Sequence, residues 1–287
     1  MTISRVVLIT GCSSGIGKAT ALRLAAAGWT VYATARRRED IASLETAGCR
    51  TLALDVTSLA SMTEAVRTIE AAHGAVGVLI NNAGYSQSGA FEAVPIERVR
   101  AQFETNVMGP IQLAQLVLPG MRAQRWGKIV NLSSMGGKLT FPGGGYYHAT
   151  KYAIEALSDA LRFEVRSFGI DVVLIEPGLI RSGFAAAAVS SMQLRPEVGA
   201  TYDAFHTAVA QATKDVYDKG PLARLSGTPD HVAKAITRAI TGTRRPKARY
   251  RVTLSATMLL GQRRWSSDRM WDWFLRQSFP SPMPAAA

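Results

Sequence analysis

A chain of 287 residues, 47% hydrophobic and 19% charged, has the material for one large α/β core or two small ones. The net charge of +12 raises nucleic acid as a partner, but between Arg244 and Arg276 nine basic residues face only Asp268 and Asp272, so the excess is mainly C-terminal and speaks against a basic groove across the molecule. No run of about 18 apolar residues is present for a membrane span, the first residues lack the apolar stretch of a secretory signal, and two isolated cysteines, Cys12 and Cys49, fit a reducing cytoplasm better than a disulfide framework or a metal site.

Arg5 to Thr10 is a continuous apolar run, as in a strand buried on both faces. Gly11-Cys12-Ser13-Ser14-Gly15-Ile16-Gly17 follows, and an alanine-rich helix then runs to Ala27 and stops at Gly28. Strand, glycine loop and helix in that order make a phosphate cradle: glycines let the backbone approach a pyrophosphate, and the helix N-terminus offers free N–H groups. Trp29 to Thr34 reads as a second strand, whose end meets the adenosine ribose in such folds. The sequence there is Ala35-Arg36-Arg37-Arg38, with no carboxylate for a 2′-hydroxyl. Guanidinium forks suit a 2′-phosphate, so NADP is favoured over NAD, with Arg36 first and Arg37 second.

Thr51 to Val56 reads as strand three, ending at Asp55, which either reaches the adenine or caps the next helix with Thr57 and Ser58. Val76 to Ile80 is strand four, followed by Asn81-Asn82-Ala83-Gly84, where amides brace loops and small residues admit a cofactor. Pro95 to Trp126 is helical, with Val99, Phe103, Val107, Leu113, Leu116 and Val117 on its apolar face. Asn106 and Gly109 break the helix rule in its middle, marking either a packing need or a site.

Lys128 to Leu132 is strand five and leads to Ser134. A loop with five glycines, Gly136 to Gly145, precedes a helix from Tyr147 to Phe168. Tyr147 and Lys151 are four apart, one turn above the other. The ammonium is expected to favour the tyrosinate and make the phenol a better acid and a usable base. Ile170 to Ile175 is strand six, closed by Glu176-Pro177-Gly178. Regularity is then lost over 183–229, a segment placed to act as a substrate lid and holding Met192, Leu194, Tyr202, Phe205 and His206. Pro229 to Ile240 is a helix and Tyr250 to Leu254 a seventh strand. The 244–287 extension is basic and carries Trp265, Trp271 and Trp273, so it either packs on the domain or a partner subunit, or touches a membrane surface. Alternating strands and helices predict an α/β fold: a single Rossmann-type domain with a doubly wound parallel sheet of about seven strands.

Taken together, these motifs resemble the short-chain dehydrogenase/reductase family. Gly11-x-x-x-Gly15-Ile16-Gly17, Asn81-Asn82-Ala83-Gly84, the set Asn106, Ser134, Tyr147 and Lys151, and Pro177-Gly178-Leu179-Ile180-Arg181-Ser182 carry the resemblance, with serine where threonine is usual at the last position. Val31 to Arg37, Asn82 to Tyr85 and the Tyr250-Arg251-Val252 end are similar to the branch holding 17β-hydroxysteroid and retinol dehydrogenases. The resemblance implies NADP-dependent alcohol–carbonyl interconversion without a metal, on a steroid (estradiol-type) or similar bulky lipophilic substrate. A retinoid, fatty aldehyde or polyketide-like ketone is the alternative. Tyr147 would exchange the proton, Lys151 hold the tyrosinate and the nicotinamide ribose, Ser134 orient the substrate oxygen, and Asn106 position a water. A non-catalytic NADP sensor is a third reading, against which the complete set of four argues.

The cofactor is thus expected at Gly11, Ser13, Ser14, Gly15, Ile16, Gly17, Arg36, Arg37, Asp55, Val56, Asn82, Ala83, Gly84, Tyr147, Lys151, Pro177, Gly178, Ile180 and Ser182. Substrate is expected at Ser134, Gly136, Tyr147, Gly178, Met192, Tyr202, Phe205 and His206. A homodimer or homotetramer paired through the two long helices is implied, cytoplasmic and without nucleic acid, with the tail as the one candidate for peripheral membrane contact.

Overall fold

The apolar runs become the strands of one parallel sheet. The computed structural model describes residues 3–192, 196–219, 223–242, 245–277 and 279. The strands are β1 (Val7–Ile9), β2 (Val31–Ala35), β3 (Arg50–Ala53), β4 (Val78–Asn81), β5 (Gly127–Leu132), β6 (Ile170–Pro177) and β7 (Arg249–Val252). Their order across the sheet is β3-β2-β1-β4-β5-β6-β7, with every neighbouring pair parallel. The order reverses beside β1, so the ends of β1 and β4 part and leave the crevice in which ligands bind in such sheets.

Helices cover both faces, which is why the strands read as unbroken apolar runs rather than alternating ones. Val7 and Ile9 pack with Leu24 of α1 (Gly15–Ala26) and Ile236 of the helix Pro229–Thr241. Leu8, one residue out of phase, packs on the other face with Met62 of α2 (Leu59–His73) and with Leu113 and Val117 of the helix Gly109–Ala123. In chain order the remaining helices are α3 (Ile96–Phe103), α4 (Gly109–Ala123), α5 (Gly145–Glu164), α6 (Phe184–Ser190), α7 (Pro196–Asp218), α8 (Pro229–Thr241), α9 (Leu254–Trp265) and α10 (Asp268–Arg276).

Buried polar groups tie these layers together. Asn81 of β4 donates to Asn131 of β5 at 2.9 Å, and Asn131 donates to Ser158 of α5 at 2.8 Å. Buried Lys128 donates to the carbonyls of Ala239 (3.3 Å) and Ile240 (2.9 Å), placing a cation at the C-terminal end of α8 where orphan carbonyls need one. Arg249 of β7 reaches Glu155 (3.0 Å) and Glu176 (3.2 Å) and binds Asp159, tethering the outer strand to α5 and β6.

Three expectations change. The 183–229 segment is mostly helical: α6 and α7 occupy it, because Tyr202, Phe205, His206, Val209 and Val216 recur every three or four residues, a helical stripe diluted by alanine and polar residues. Leu194 lies outside the described residues, as do Arg244 and the chain beyond Phe279. The seventh strand ends at Val252, since Thr253 turns to φ 94° and caps α9, which begins at Leu254. The Tyr147 helix starts earlier, at Gly145, and stops at Glu164 before a 3-10 turn over Arg166–Phe168.

The C-terminal extension packs onto the domain. Leu259 and Leu260 of α9 and Trp271 of α10 join Met135, Leu139 and Leu179 in a third apolar cluster. Trp271 is buried, whereas Trp265 and Trp273 are exposed. Among the described residues no helix is long and apolar enough to cross a membrane.

Candidate active site

The glycine loop is held open by its neighbours. Thr10 Oγ1 accepts from the backbone N–H groups of Asn82 and Ala83, both at 3.0 Å, joining the ends of β1 and β4. The Asn82 amide donates to the carbonyls of Thr10 (2.8 Å) and Gly11 (3.0 Å). Gly11 adopts φ +72°, and a Cβ there would lie 2.9 Å from the Ala83 Cα. At Gly17 a Cβ would meet the Gly11 carbonyl oxygen at 2.3 Å and the Asn82 amide at 2.5 Å. Gly15, at φ +56°, has nothing near its missing side chain. Ser14 stands at the N-cap of α1 with no side-chain cap bond, and the first turn has no acidic residue, so the helix dipole points at Ser13–Gly15 uncompensated. Cys12 lies buried behind the loop, its thiol pushed up to about 12 by burial, and is no nucleophile.

Beyond β2, the three arginines part company. Arg37 pairs with Asp40 at 2.7 Å and Arg38 with Glu45 at 2.9 Å. Arg36 is exposed and has neither an ion pair nor a hydrogen bond among the described residues. Asp55 does not cap α2: it accepts from the Thr57 amide (2.9 Å) and hydroxyl (2.7 Å), while Ser58 is the cap. Val56 is buried, with its carbonyl under Gly109.

The two irregular residues of the long helix have separate causes. Glu104–Met108 forms a π-helical turn between α3 and α4, a widening common at functional sites. It turns the Asn106 amide inward. Asn106 Oδ1 accepts from the Tyr85 N–H at 3.1 Å, and Nδ2 donates to the Tyr85 carbonyl (2.9 Å) and to Thr150 Oγ1 (3.1 Å). Gly109 is a packing residue, because a Cβ would lie 2.5 Å from the Val56 carbonyl oxygen. Gly84 sits between Asn106 and Lys151: a Cβ there would be 3.0 Å from Asn106 Oδ1 and 3.9 Å from Lys151 Nζ.

Ser134 opens a short 3-10 turn and accepts from the Gly136 N–H at 3.0 Å. Its hydroxyl lies close enough to the Tyr147 phenol to favour the ionised form. Lys151 is buried and donates to the Leu132 carbonyl at 2.7 Å, with its nitrogen 5.7 Å from the Tyr147 ring centre. The expected acidification of Tyr147 is not met. Burial raises the phenol's pKa and outweighs the opposing influence of the nearby Ser134 hydroxyl. Lys151 is itself lowered to about 8 by burial, with Glu155 one turn on pulling it back up. The ammonium is therefore committed to a strand-end carbonyl and penalised by its surroundings.

That shift has a sign in stability. Folded Lys151 loses its proton near pH 8, whereas the unfolded chain keeps it to the ordinary lysine pKa of about 10.4. Between these values the unfolded chain holds the extra proton, so this lysine's destabilisation is full below pH 8 and is relieved as pH rises. Lys151→Met should thus be stabilised relative to the parent below pH 8, with the gap closing by pH 10, in paired denaturant titrations. A gap independent of pH would contradict the assignment.

Residues that the sequence did not single out complete the site. His148, next to Tyr147, is buried. Its Nε2 accepts from the Phe141 N–H at 3.2 Å and Nδ1 faces the Gly136 carbonyl at 3.0 Å, which assigns the proton to Nδ1 and agrees with a pKa lowered by burial. It locks the glycine loop after Ser134, and Gly136 must be glycine because a Cβ would lie 2.5 Å from His148 Nδ1. Phe184 of α6 lies over Tyr147, ring centres 5.4 Å apart, and Tyr217 near the end of α7 is close enough to act on its charge. Only the position of His148 beside Tyr147 offered a signal; Phe184 and Tyr217 required the fold.

Tyr202 donates to Glu92 at 2.9 Å and His206 accepts from the Ala90 N–H at 2.9 Å, so these two hold α7 against the 89–92 loop, while Phe205 packs within α7, 5.7 Å from the His206 ring. Met192 is half-buried. Gly178, after Pro177, faces the start of α9, a Cβ meeting Thr253 Oγ1 at 2.5 Å and the Ala256 nitrogen at 2.7 Å. Ile180 is buried and bridges to Gly227, and Ser182 accepts from the Phe184 N–H at 3.4 Å.

The whole arrangement is that of a known family, whose short chain dehydrogenase model matches residues 5–193. The chain belongs to the short-chain dehydrogenases. It is similar to a 3-ketodihydrosphingosine reductase of Bacteroides thetaiotaomicron, 44% identical over 181 residues that span 63% of this chain and 65% of that protein, just under two thirds of its length. It is also similar to an NADPH-dependent 3-dehydrocapnine reductase of Ornithobacterium rhinotracheale, 34% identical over 93% of this chain and 95% of that one. A solved short-chain dehydrogenase from Streptomyces avermitilis superposes with a TM-score of 0.75 at 34% identity, covering 94% of this chain and 96% of that one. This short-chain dehydrogenase is therefore an oxidoreductase of alcohol and carbonyl groups that uses a nicotinamide nucleotide.

Proposed function

We propose that this dehydrogenase reduces a ketone on a bulky lipophilic skeleton with NADPH as its cofactor. The observation that carries the reading is the buried Tyr147 phenol, close to Ser134 and beneath the apolar cover of Phe184. The groove fits the cofactor: Gly11 and Gly17 let the loop pack closely on Ala83 and Asn82, Gly15 has open space beside it, the α1 N-terminus is uncompensated, and Gly84 keeps room beside Lys151. When bound, the cofactor supplies the hydride for the carbonyl carbon. Ser134 fixes the substrate oxygen, and Tyr147 gives that oxygen its proton. A phenol whose pKa is raised by burial keeps its proton across working pH, as an acid for reduction must. In this reading Lys151 balances the negative charge left on Tyr147 and holds the nicotinamide ribose. Asn106 holds the loop at Tyr85 and the start of α5 in register with it.

Arg36 is the guanidinium left unengaged for a 2′-phosphate, whereas Arg37 is held by Asp40. A charge-assisted hydrogen bond is worth about 1.5–3 kcal/mol, so Arg36→Asp should lower kcat/KM for NADPH by about 10–100-fold and invert the preference toward NADH. An unchanged ratio of the two cofactors would overturn the NADP assignment.

For the substrate, the names of the two reductases support an oxo group on a long-chain lipid beside the steroid ketone expected from sequence. The test is NADPH oxidation with estrone, 3-ketodihydrosphingosine, retinal and a small water-soluble ketone. Turnover of a lipophilic member well above the small ketone supports the reading; turnover of the small ketone alone would remove it.

A further inference from the structure

The outer corner of the molecule, where β7 runs into α9, carries two features that catalysis does not use. The first is an apolar stripe. α9 buries Ser255, Ala256, Leu259 and Leu260, yet its opposite face carries Leu254, Met258 and Trp265, respectively 64%, 58% and 85% exposed. Their spacing puts them within one narrow stripe, about 16 Å long at 1.5 Å per residue. Gly261 lies on the same stripe with open space above it. Large apolar residues aligned on the solvent face of a helix mark a docking surface.

The second feature is a basic cavity of about 670 Å³ between β7, α8 and the 224–227 segment, and Leu254 is part of its wall. Arg224, His231, Lys234, Arg238 and Arg251 line it, and no carboxylate does so among the described residues. His231, Lys234 and Arg238 lie on one face of α8. Two of the cations have acidic neighbours: Lys234 is 3.6 Å from Asp230, and Arg251 is 3.5 Å from buried Glu176. His231 is engaged with Thr228 at the helix cap. Arg224 and Arg238 are exposed and have no carboxylate partner among the described residues.

Unpaired guanidinium groups beside an apolar stripe fit a surface that is anionic at its boundary and apolar just beneath. A second copy fits poorly, because an isologous contact would set these cations against their own equivalents. We propose that this corner docks on an anionic phospholipid bilayer, with Arg224 and Arg238 holding headgroup phosphates and Met258 and Trp265 seated in the interfacial layer. α9 then lies along the membrane plane while its buried face stays on the domain.

The test is co-sedimentation of the full chain with vesicles of equal phosphatidylcholine and phosphatidylglycerol, against phosphatidylcholine alone. The expected result is sedimentation with the mixed vesicles, weakening as salt rises, and none with the neutral ones. Each basic residue near an anionic leaflet contributes about fivefold, so Arg224→Glu with Arg238→Glu should lower partitioning by at least about 25-fold. Met258→Glu with Trp265→Glu should also abolish it, while either pair keeps the parent's melting temperature and its NADPH-dependent turnover of a soluble ketone. Absence of parent sedimentation with the mixed vesicles, or sedimentation of both double variants equal to the parent's, overturns the proposal. Binding of free glycerol phosphate without vesicle binding replaces it with a soluble ligand. A mass in sedimentation velocity that falls with Met258→Glu and Trp265→Glu, without vesicle binding, replaces it with a second copy.

Discussion

Tyr147→Phe is expected to lower kcat by at least about 10²–10⁴-fold, the range for loss of general acid–base catalysis, while leaving the cofactor in place. The substitution removes one oxygen and keeps the ring that packs against Phe184 at 5.4 Å. It also removes the hydroxyl close to Ser134, so the substrate oxygen loses its proton donor but keeps Ser134 as a partner. The neighbouring cation and ring donor are committed elsewhere, Lys151 to the Leu132 carbonyl and His148 toward Gly136. The check is paired. Turnover of the best ketone should collapse, while the rise in melting temperature on adding NADPH should match the parent. Turnover within tenfold of the parent would remove Tyr147 as the acid; a lost thermal shift would mean that the residue holds the cofactor instead.

Gly17→Ala is the second large effect, and it falls on binding. The added methyl would lie 2.3 Å from the Gly11 carbonyl oxygen and 2.5 Å from the Asn82 amide nitrogen. Both are held, Gly11 by its bond from Asn82 and Asn82 by Thr10, so relief requires the cradle itself to shift. A ligand at 100 times its Kd stabilises a protein by about 2.7 kcal/mol. The variant should lose that NADPH-dependent stabilisation in a thermal melt, with affinity reduced at least about 100-fold. Gly15→Ala is the comparison that keeps the test informative should the first variant fold poorly. Nothing lies within 4 Å of its added methyl, so steric collapse is not expected, although its φ of +56° costs about 1 kcal/mol. Parent-like NADPH stabilisation in Gly17→Ala would contradict this account of the loop.

Much of the site was legible because its residue types are costly anywhere else. Asn106 and Gly109 stood out as misfits in a helical stretch, and the structure shows why each is there: the amide clamps Tyr85, and the missing side chain admits Val56. The π-helical turn that joins these roles was not legible, since an extra residue in a turn leaves no periodic mark over five positions. The 183–229 segment was read as irregular for a related reason. Its helices bury a thin stripe against loops rather than a broad face against the sheet, so alanine dominates and the signal is weak. The contacts of Tyr202 and His206 with the 89–92 loop, and of Phe184 and Tyr217 with Tyr147, depend on where those helices begin and cross.

The charge on the tyrosine was beyond sequence altogether. Spacing put Lys151 one turn from Tyr147, and from that alone the ammonium should acidify the phenol. Desolvation decides the matter, and it depends on everything packed around the pair: Leu132 taking the ammonium, Phe184 covering the ring, Glu155 below. Sequence by itself determined the parallel sheet and the glycine loop, because local periodicity and obligatory glycines are written residue by residue, and the family resemblance singled out Asn106, Ser134, Tyr147 and Lys151. Only the tertiary structure decided which arginine is left unengaged, which aromatic covers the site, and the protonation of its two central groups, because burial and hydrogen-bond partners come from segments far apart in the chain.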